Sequence, residues 1–419
     1  MREMKDSGIE WIGEIPKEWG ITNFGNVSEI FGRIGFRGYT TNDLVGKGDG
    51  PITLSPSNII ENKLSLDNCS YISWEKYEES PEIKIYKNDI ILVKTASVGK
   101  CAIYNSQEPA TLNPQLVVLK KIKCNSKYLY YQIISDIIQV PIMLDNFGSV
   151  IPTITQKNLK CYKIVFPPTA EQQKISAYLD TKCTKIDSII EKQEKVIEKL
   201  KEYKLSKINE IVTDVDGVCC HLGHISIMKN GLNFNTSPNG NKVKFLGVGD
   251  FKDYFVLNEK SMFSDIIIDD EISDDYLLQN GDIIFVRSNG SKELVGRAVM
   301  VENIDYKLTY SGFCIKLRNT RDDLINDKYL LYFFRSPYFR KQLEKYSQGS
   351  NISNINQVLL SQISIIIPSL SYQNDALKKL DKLSLCIDSA IEQKQAIIEK
   401  LKEYKKSLIY EVVTGKREV

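Results

Sequence analysis

The stretch DSIIEKQEKVIEKLKEYKLSKINEIVT, beginning at Asp187, returns as DSAIEQKQAIIEKLKEYKKSLIYEVVT, beginning at Asp388, without a gap and 201 residues on. The same offset carries further back. GSVIPTITQKNLKCYKIVFP from Gly148 matches GSNISNINQVLLSQISIIIP from Gly349, with Gly148, Ser149, Ile151, Ile154, Gln156, Leu159, Ile164 and Pro167 all recurring. Upstream the register slips. NDIILVKTASVGK at Asn88 is similar to GDIIFVRSNGSKE at Gly281 with an offset of 193, and FGNVSEI at Phe24 to LGHISIM at Leu222 with an offset of 198. A period of about 200 residues is far longer than a solenoid unit; it marks a duplicated domain followed by a duplicated tail. Whatever one half folds into, the other must fold into as well.

The tails read as long helices. Pro167-Pro168 stops what precedes, and Thr169 with Gln172 three residues on is a capping-box signature. No Pro or Gly follows until after Val212, and the second tail is equally clean from Ser371 to Thr414, where Gly415 supplies a stop. Apolar residues recur at three- and four-residue spacing, with Glu and Lys on the other faces. We expect a helix–helix interface built from Ile186, Ile190, Ile197, Leu200 and Tyr203 in the first copy and Ile387, Ile391, Ile398, Leu401 and Tyr404 in the second. Two equivalent units pairing about a pseudo-two-fold axis would make helices of roughly 60 Å run antiparallel, with the globular parts at opposite ends. The alternative is that each helix packs back on its own domain. The globular halves mix strands (Asn88 to Thr95) with buried helices (KYLYYQIISD and KYLLYFFRSPYF). The expected fold class is therefore α+β: two duplicated mixed domains separated by two long helices in an antiparallel coiled coil. The domain bounds are 1–168, 169–214 for the first helix, 215–369, and 370–419 for the second helix.

At 419 residues and 42% hydrophobic content the chain can bury two or three cores. Its nine cysteines are odd in number and form no CxxC pair, which points to a reducing compartment. No signal-like N-terminus or membrane-length apolar run is present, so a soluble, cytoplasmic protein is expected. A net charge of +2 is low for a protein that grips DNA alone through many phosphates. Local basic patches or partner subunits would have to make up the difference.

Enzymatic constellations are missing. CCHLGH holds both histidines, His221 and His224, but adjacent cysteines rarely serve one tetrahedral zinc. The equivalent positions Thr22, Asn23 and Asn26 are poor ligands, so a strand entering the second domain is the better reading and no metal site is assigned. TLNPQL at Asn113 lacks the second proline and aromatic residue of an adenine-methyltransferase loop. GRIGFRG and SVGK lack dinucleotide and Walker spacing. No catalytic residue is assigned, and the chain reads as a binder.

Its candidate contacts lie in loops dense in basic and amide side chains, which suit phosphates and base edges. They are Arg33 and Arg37; Lys94, Thr95, Ser97 and Lys100; and Arg287, Ser288, Asn289, Ser291, Lys292 and Arg297. The turn before the last strand adds Ser149, Thr153, Gln156 and Lys157 in one copy, and Ser350, Asn351, Asn354, Asn356 and Gln357 in the other.

Three stretches carry a specific resemblance over essentially the whole chain: SGIEWIGEIPKEWG at the start, FPPTAEQQKI leading into IEKLKEYK, and KLKEYKKSLIYEVVTGK at the end. The chain resembles the specificity subunit of type I restriction–modification systems, with PSLSYQ where the first copy has PPTAEQ. The resemblance implies two target-recognition domains, each reading half of a bipartite site in double-stranded DNA, with the helices fixing their separation. It also implies two docked methyltransferase subunits, restriction subunits joining for cleavage, and no cofactor in this chain. S-adenosylmethionine, ATP and Mg would be used only by those partners. A tandem-domain scaffold that binds proteins rather than DNA is the alternative.

Overall fold

The structure, a computed structural model, describes residues 2–233, 240–251, 255–268, 272–346 and 354–419. It divides into two compact units, Met1–Lys192 with Ala396–Val419, and Gln193–Gln395. Each holds one globular domain together with part of both long helices, Thr169–Thr213 and Leu370–Val413.

The first unit is centred on a four-stranded antiparallel sheet in the order Cys101–Ile103, Ile90–Val93, Leu116–Lys120, Glu29–Gly32. A four-strand sheet ordered Ala110–Leu112, Ile52–Leu54, Ser70–Ile72, Leu44–Val45 accompanies it. The run IILV is apolar throughout because both of its faces are covered. Ile90 and Leu92 join one core with Val117 and Leu119, while Ile91 and Val93 join a second with Leu116 and Val118. This is strand alternation with both sides buried. The second unit repeats the device: Ile283 and Phe285 face one core, Ile284 and Val286 the other. Its sheet runs Ser226–Asn230, Cys314–Asn319, Ile283–Val286, Ala298–Val301, Val256–Leu257. CCHLGH opens this domain as a strand, Val218–His221, paired with Ser364–Ile367.

The expected helices after these strands are present but shorter and doubled. KYLYYQII lies in Ser126–Ile134, after which Ser135 caps a second helix, Asp136–Asp145. KYLLYFFRSPYF breaks at Arg335-Ser336, between the equivalent pair of helices, Asp327–Phe334 and Pro337–Tyr346.

Each domain is seated on the start of the helix that follows it, by the same side chains 201 residues apart. Asn125 N donates to Gln172 Oε1 at 2.9 Å, and Asn326 N to Gln373 Oε1 at 2.9 Å. The Nε2 groups of the two glutamines donate to Pro167 O and Pro368 O at 2.8 and 2.9 Å. Gln172 therefore ties the domain to the helix instead of closing a capping box on the helix's own first turn. Lys127 pairs with Asp180 and Lys328 with Asp381, at 2.5 and 2.7 Å. Tyr131 and Tyr332 donate to the same two carboxylates at 2.8 Å.

The other copy's helix completes each core. In the first unit Leu408, Ile409, Val412 and Val413 are buried with Ile175, Leu179 and Ile186. In the second unit Ile208 and Val212 are buried with Ala376, Leu377 and Leu380. The helix segments run antiparallel within each unit. Asp187 meets Lys405 at 2.5 Å in the first; Lys204 meets Asp388 at 2.8 Å, and Tyr372 the Ile211 carbonyl at 3.1 Å, in the second. The two ion pairs are one contact made twice, once in each unit, with the partners exchanged. Packing on a helix partner and packing on a domain are thus not alternatives, since each helix does both.

Ile186, Ile197, Ile387 and Ile398 are buried, and Ile190, Leu200, Ile391 and Leu401 half-buried, as the apolar stripe requires. Tyr203 and Tyr404 are not in the interface: each is 49% exposed. At about 100° per residue, Tyr203 lies roughly 100° round the helix from Ile186, past the edge of the buried face.

The N-terminal hairpin, Met4–Asp6 with Glu14–Pro16, packs on the end of the second long helix. Tyr410 donates to the carbonyls of Trp11 and Ile12 at 2.7 and 3.1 Å. Gly415, at φ +74°, sits where a Cβ would run into the Pro16 ring, so only glycine fits there. Among the described residues no helix is long and apolar enough to cross a membrane.

Candidate nucleic-acid interface

In both domains a cluster of loops grows from the end of the central strand. In the first, Val93 N donates to Lys100 O at 2.8 Å and Gly99 N to Val93 O at 3.0 Å, closing a tight loop. In the second, Val286 N donates to Arg297 O at 3.0 Å and Gly296 N to Val286 O at 2.9 Å. The closing bonds are the same, but the second loop is four residues longer between them (Val93 to Lys100 against Val286 to Arg297). Gly99 and Gly296 turn the chain at φ +88° and +83°.

A residue from the neighbouring helix holds each loop. Gln139 Nε2 donates to Gly99 O at 3.1 Å, and Arg340 donates to Val295 O and Lys292 O at 2.7 and 3.3 Å. Gln139 and Arg340 are 201 residues apart, and the repeat offset alone could have paired them. Sequence reasoning passed over both.

The strand-end loop and the turn before the last strand, which are far apart in sequence, come together. Ile154 N donates to Lys94 O at 2.8 Å and Ile355 N to Arg287 O at 2.9 Å. Thr95 bridges to Thr153, and Ser288 to Asn354. A third segment joins them. Lys94 N donates to Gln115 O at 2.9 Å, and Arg287 N to Phe313 O at 2.8 Å. The turns Asn113-Pro114-Gln115 and Ser311-Gly312-Phe313 therefore belong to the face, and sequence reasoning missed them. Gln115 is exposed, and so is Phe313.

The candidate residues divide by what they touch. Lys100, Ser149, Thr153 and Lys157 are exposed, and Lys94, Thr95 and Ser97 half-buried. Ser291, Lys292, Asn354 and Asn356 are exposed, and Arg287, Ser288, Asn289, Arg297 and Gln357 half-buried. Asn289 Oδ1 accepts from Ser291 N at 2.7 Å, and Asn356 caps the helix Gln357–Ser361 through Leu359 N at 2.8 Å. Gln156, with its amide oriented to satisfy both groups, spans Ile30 O and Gly32 N at 3.2 Å. Ser350 and Asn351 lie outside the described residues.

Arg33 is 5% exposed. It donates to Leu112 O, Arg37 O and Thr111 Oγ1 at 2.9, 3.1 and 3.2 Å, and so supports the strand that leads into the Asn113 turn. Burial lowers its pKa, against the opposing pull of Tyr39, Glu79 and Glu82. Arg37 is half-buried and lies 3.4 Å from Glu82.

Lysines at the helix joints are paired with carboxylates, and those at the loop ends are not. Lys127, Lys204, Lys328 and Lys405 are all engaged with aspartates. Among the described residues, Lys94, Lys100, Lys157 and Lys292 are in no ion pair. Cations left unpaired on an exposed surface suit a polyanion.

The family described as type I restriction modification DNA specificity domain matches this chain twice, over residues 16–199 and 222–402. The StySPI specificity subunit of a type I restriction enzyme from Salmonella potsdam is 23% identical, over 96% of this chain and 90% of its own length. A chain from a solved structure concerned with complex assembly and conformational transition of a type I R-M system superposes with a TM-score of 0.72 at 15% identity, covering 95% of this chain and 98% of that one. The HsdS subunit from Thermoanaerobacter tengcongensis gives a TM-score of 0.50 at 16% identity over 96% and 98% of the two chains. Two matched domains, each followed by its helix, place this chain in the family of type I restriction–modification DNA specificity subunits.

Proposed function

We propose that each domain reads one half of a two-part double-stranded DNA sequence through its three-segment face, and that the chain directs methyltransferase subunits, and restriction subunits where present, to that sequence. The observation that carries this reading is a single backbone frame built twice with different side chains. Lys94 and Arg287 start the two loops at equivalent positions; Thr153 and Asn354 face them across the same bridge; Gln115 and Phe313 occupy the same place in the third segment. Arg and Lys suit guanine and phosphate, and amides suit adenine, so a change of side chain on a fixed frame is a change of sequence read.

Docking of like partners fits the helices. In IEKLKEYK the residues Glu198, Lys199, Lys201, Glu202 and Tyr203 are exposed yet identical to Glu399, Lys400, Lys402, Glu403 and Tyr404. Burial does not account for that identity, whereas two copies of one partner would. Methyl transfer from S-adenosylmethionine, and ATP- and Mg-dependent cleavage, then belong to the partner subunits.

Methylome sequencing of cells with and without the gene tests the reading. A bipartite adenine-methylation motif should disappear with the gene. Changing Arg287, Asn289 and Lys292 to alanine should alter one half of that motif and leave the other half intact. If no motif depends on the gene, or if both halves change together, the reading is wrong.

A further inference from the structure

The first domain carries an exposed apolar tip next to its reading face. Where the helix Asp136–Asp145 ends, Met143 and Leu144 are 63% and 55% exposed, and beyond it Phe147, Val150 and Ile151 are 93%, 98% and 65% exposed. Scattered exposed apolar residues need no explanation, but a cluster this dense does. The tip is fixed to the face: Ala96 N donates to Pro152 O at 2.9 Å, and Thr153 N to Asn146 Oδ1 at 2.6 Å. Lys100 lines the same groove as Met143 and Phe147. The nearby Asp145 carboxylate is engaged by Asn158 and Tyr162 at 2.9 and 2.7 Å.

The internal repeat indicates what the tip meets. At the 201-residue offset Met143, Leu144, Phe147 and Val150 become Glu344, Lys345, Gln348 and Asn351, while Gly148, Ser149, Ile151 and Ile154 are kept. A surface that met the same partner subunit in both copies would keep its side chains, as the exposed face of IEKLKEYK does. Here the flanking residues are kept in sequence and the apolar ones are exchanged. Lys94 and Lys100, the cations beside the tip, suit a polyanion.

We propose that the Phe147–Val150 tip enters DNA at the first domain's half-site and packs on apolar base surface, either thymine methyl groups or the face of an unstacked base. This rests on the DNA-reading function proposed above. The tip contributes affinity without releasing counterions, and gives the first half-site an apolar contact that the second copy lacks at that position.

The test uses the specificity subunit assembled with its methyltransferase partners, and duplex DNA carrying the motif found by methylome sequencing. Phe147→Ser with Val150→Ser should lower affinity roughly tenfold and leave the salt dependence, thermal midpoint and assembly unchanged. Phe147→Leu should retain most of the affinity. Replacing thymine by uracil in the half-site reproduces the loss if methyl groups are the contact. A 2-aminopurine probe there brightens with the wild-type complex, and not with the variant, if a base is unstacked. Affinity within twofold of wild type overturns the inference, as does an affinity loss to which neither probe responds. Loss of assembly together with DNA binding also overturns it, and makes the tip a protein contact. If the wild-type complex does not prefer the motif to unrelated DNA, the DNA-reading function itself fails, which is a different result from failure of the tip alone.

Discussion

The two copies agree where they touch their own fold and differ where they face outward at the loop ends. Gln172 and Gln373, Lys127 and Lys328, Asp180 and Asp381, and Tyr131 and Tyr332 make the same contacts at nearly the same distances. The strand-end loops share their closing bonds and differ in length and side chains. A change at a seating residue would cost the fold, whereas a change on the face alters only what is bound. A duplicated frame of this kind keeps its joints and varies its contacts.

The largest test of the equivalence lies in the exchanged helix ends. Leu408→Ala should destabilise the first unit, and Ile208→Ala the second, each by about 2–5 kcal/mol. Leu408 and Ile208 are 1% and 3% exposed, in the cores of units whose domains lie elsewhere in the sequence. Hydrogen exchange should show protection lost in residues 1–168 for the first variant and in 215–369 for the second. If each substitution loosened its own copy's domain instead, the exchange of helix ends would be refuted.

A smaller effect is expected at the glutamines. Gln172→Ala and Gln373→Ala each leave a buried amide and carbonyl without their partner, at a cost of about 1–3 kcal/mol. Gln373→Ala should cost the more: both side chains are essentially buried and share one pair of bonds, but Gln373 Nε2 also donates to Leu324 O at 2.8 Å. Chemical denaturation of the two variants measures this, and a larger loss at Gln172 would show that the shared bonds are not equivalent in the two seats.

Much of this frame was legible in the sequence. The ungapped offset located both helices, and the run from Asn88 to Thr95 marked a strand, though not that both of its faces are covered. Other features were not legible, for identifiable reasons. An apolar stripe gives the face of a helix but not how far it is buried, so Tyr203 and Tyr404 were misplaced. Arg33 looked like a contact because composition cannot show that a guanidinium is satisfied by Leu112 and Thr111, about eighty positions away in the chain. The turns at Gln115 and Phe313 joined the face through backbone bonds to Lys94 and Arg287, which leave no trace in side-chain pattern. The packing of Tyr410 on Trp11 links the two ends of the chain, beyond the reach of any local signal.

The smallest predicted difference is between two aspartates that the repeat makes equivalent. Asp187 has two cations, Lys405 at 2.5 Å and Lys63 at 2.7 Å, and its side chain is 23% exposed. Asp388 has Lys204 at 2.8 Å and is 55% exposed. Burial, the largest single influence, pulls the Asp187 pKa upward, but the two lysines together outweigh it and hold the carboxyl below its ordinary value. A carboxylate with a lowered folded-state pKa stabilises the fold above its unfolded value, near 3.9, and loses that contribution as the pH falls through the folded value. Asp187→Asn should therefore cost roughly 0.5–1 kcal/mol at neutral pH and progressively less as the pH falls below about 3.9, as read by urea denaturation across that range. Asp388→Asn should cost less at neutral pH, because a single exposed partner is screened by solvent. An equal loss at Asp388 would mean that Lys63 adds nothing, and that the two ion pairs are as alike in energy as they are in sequence.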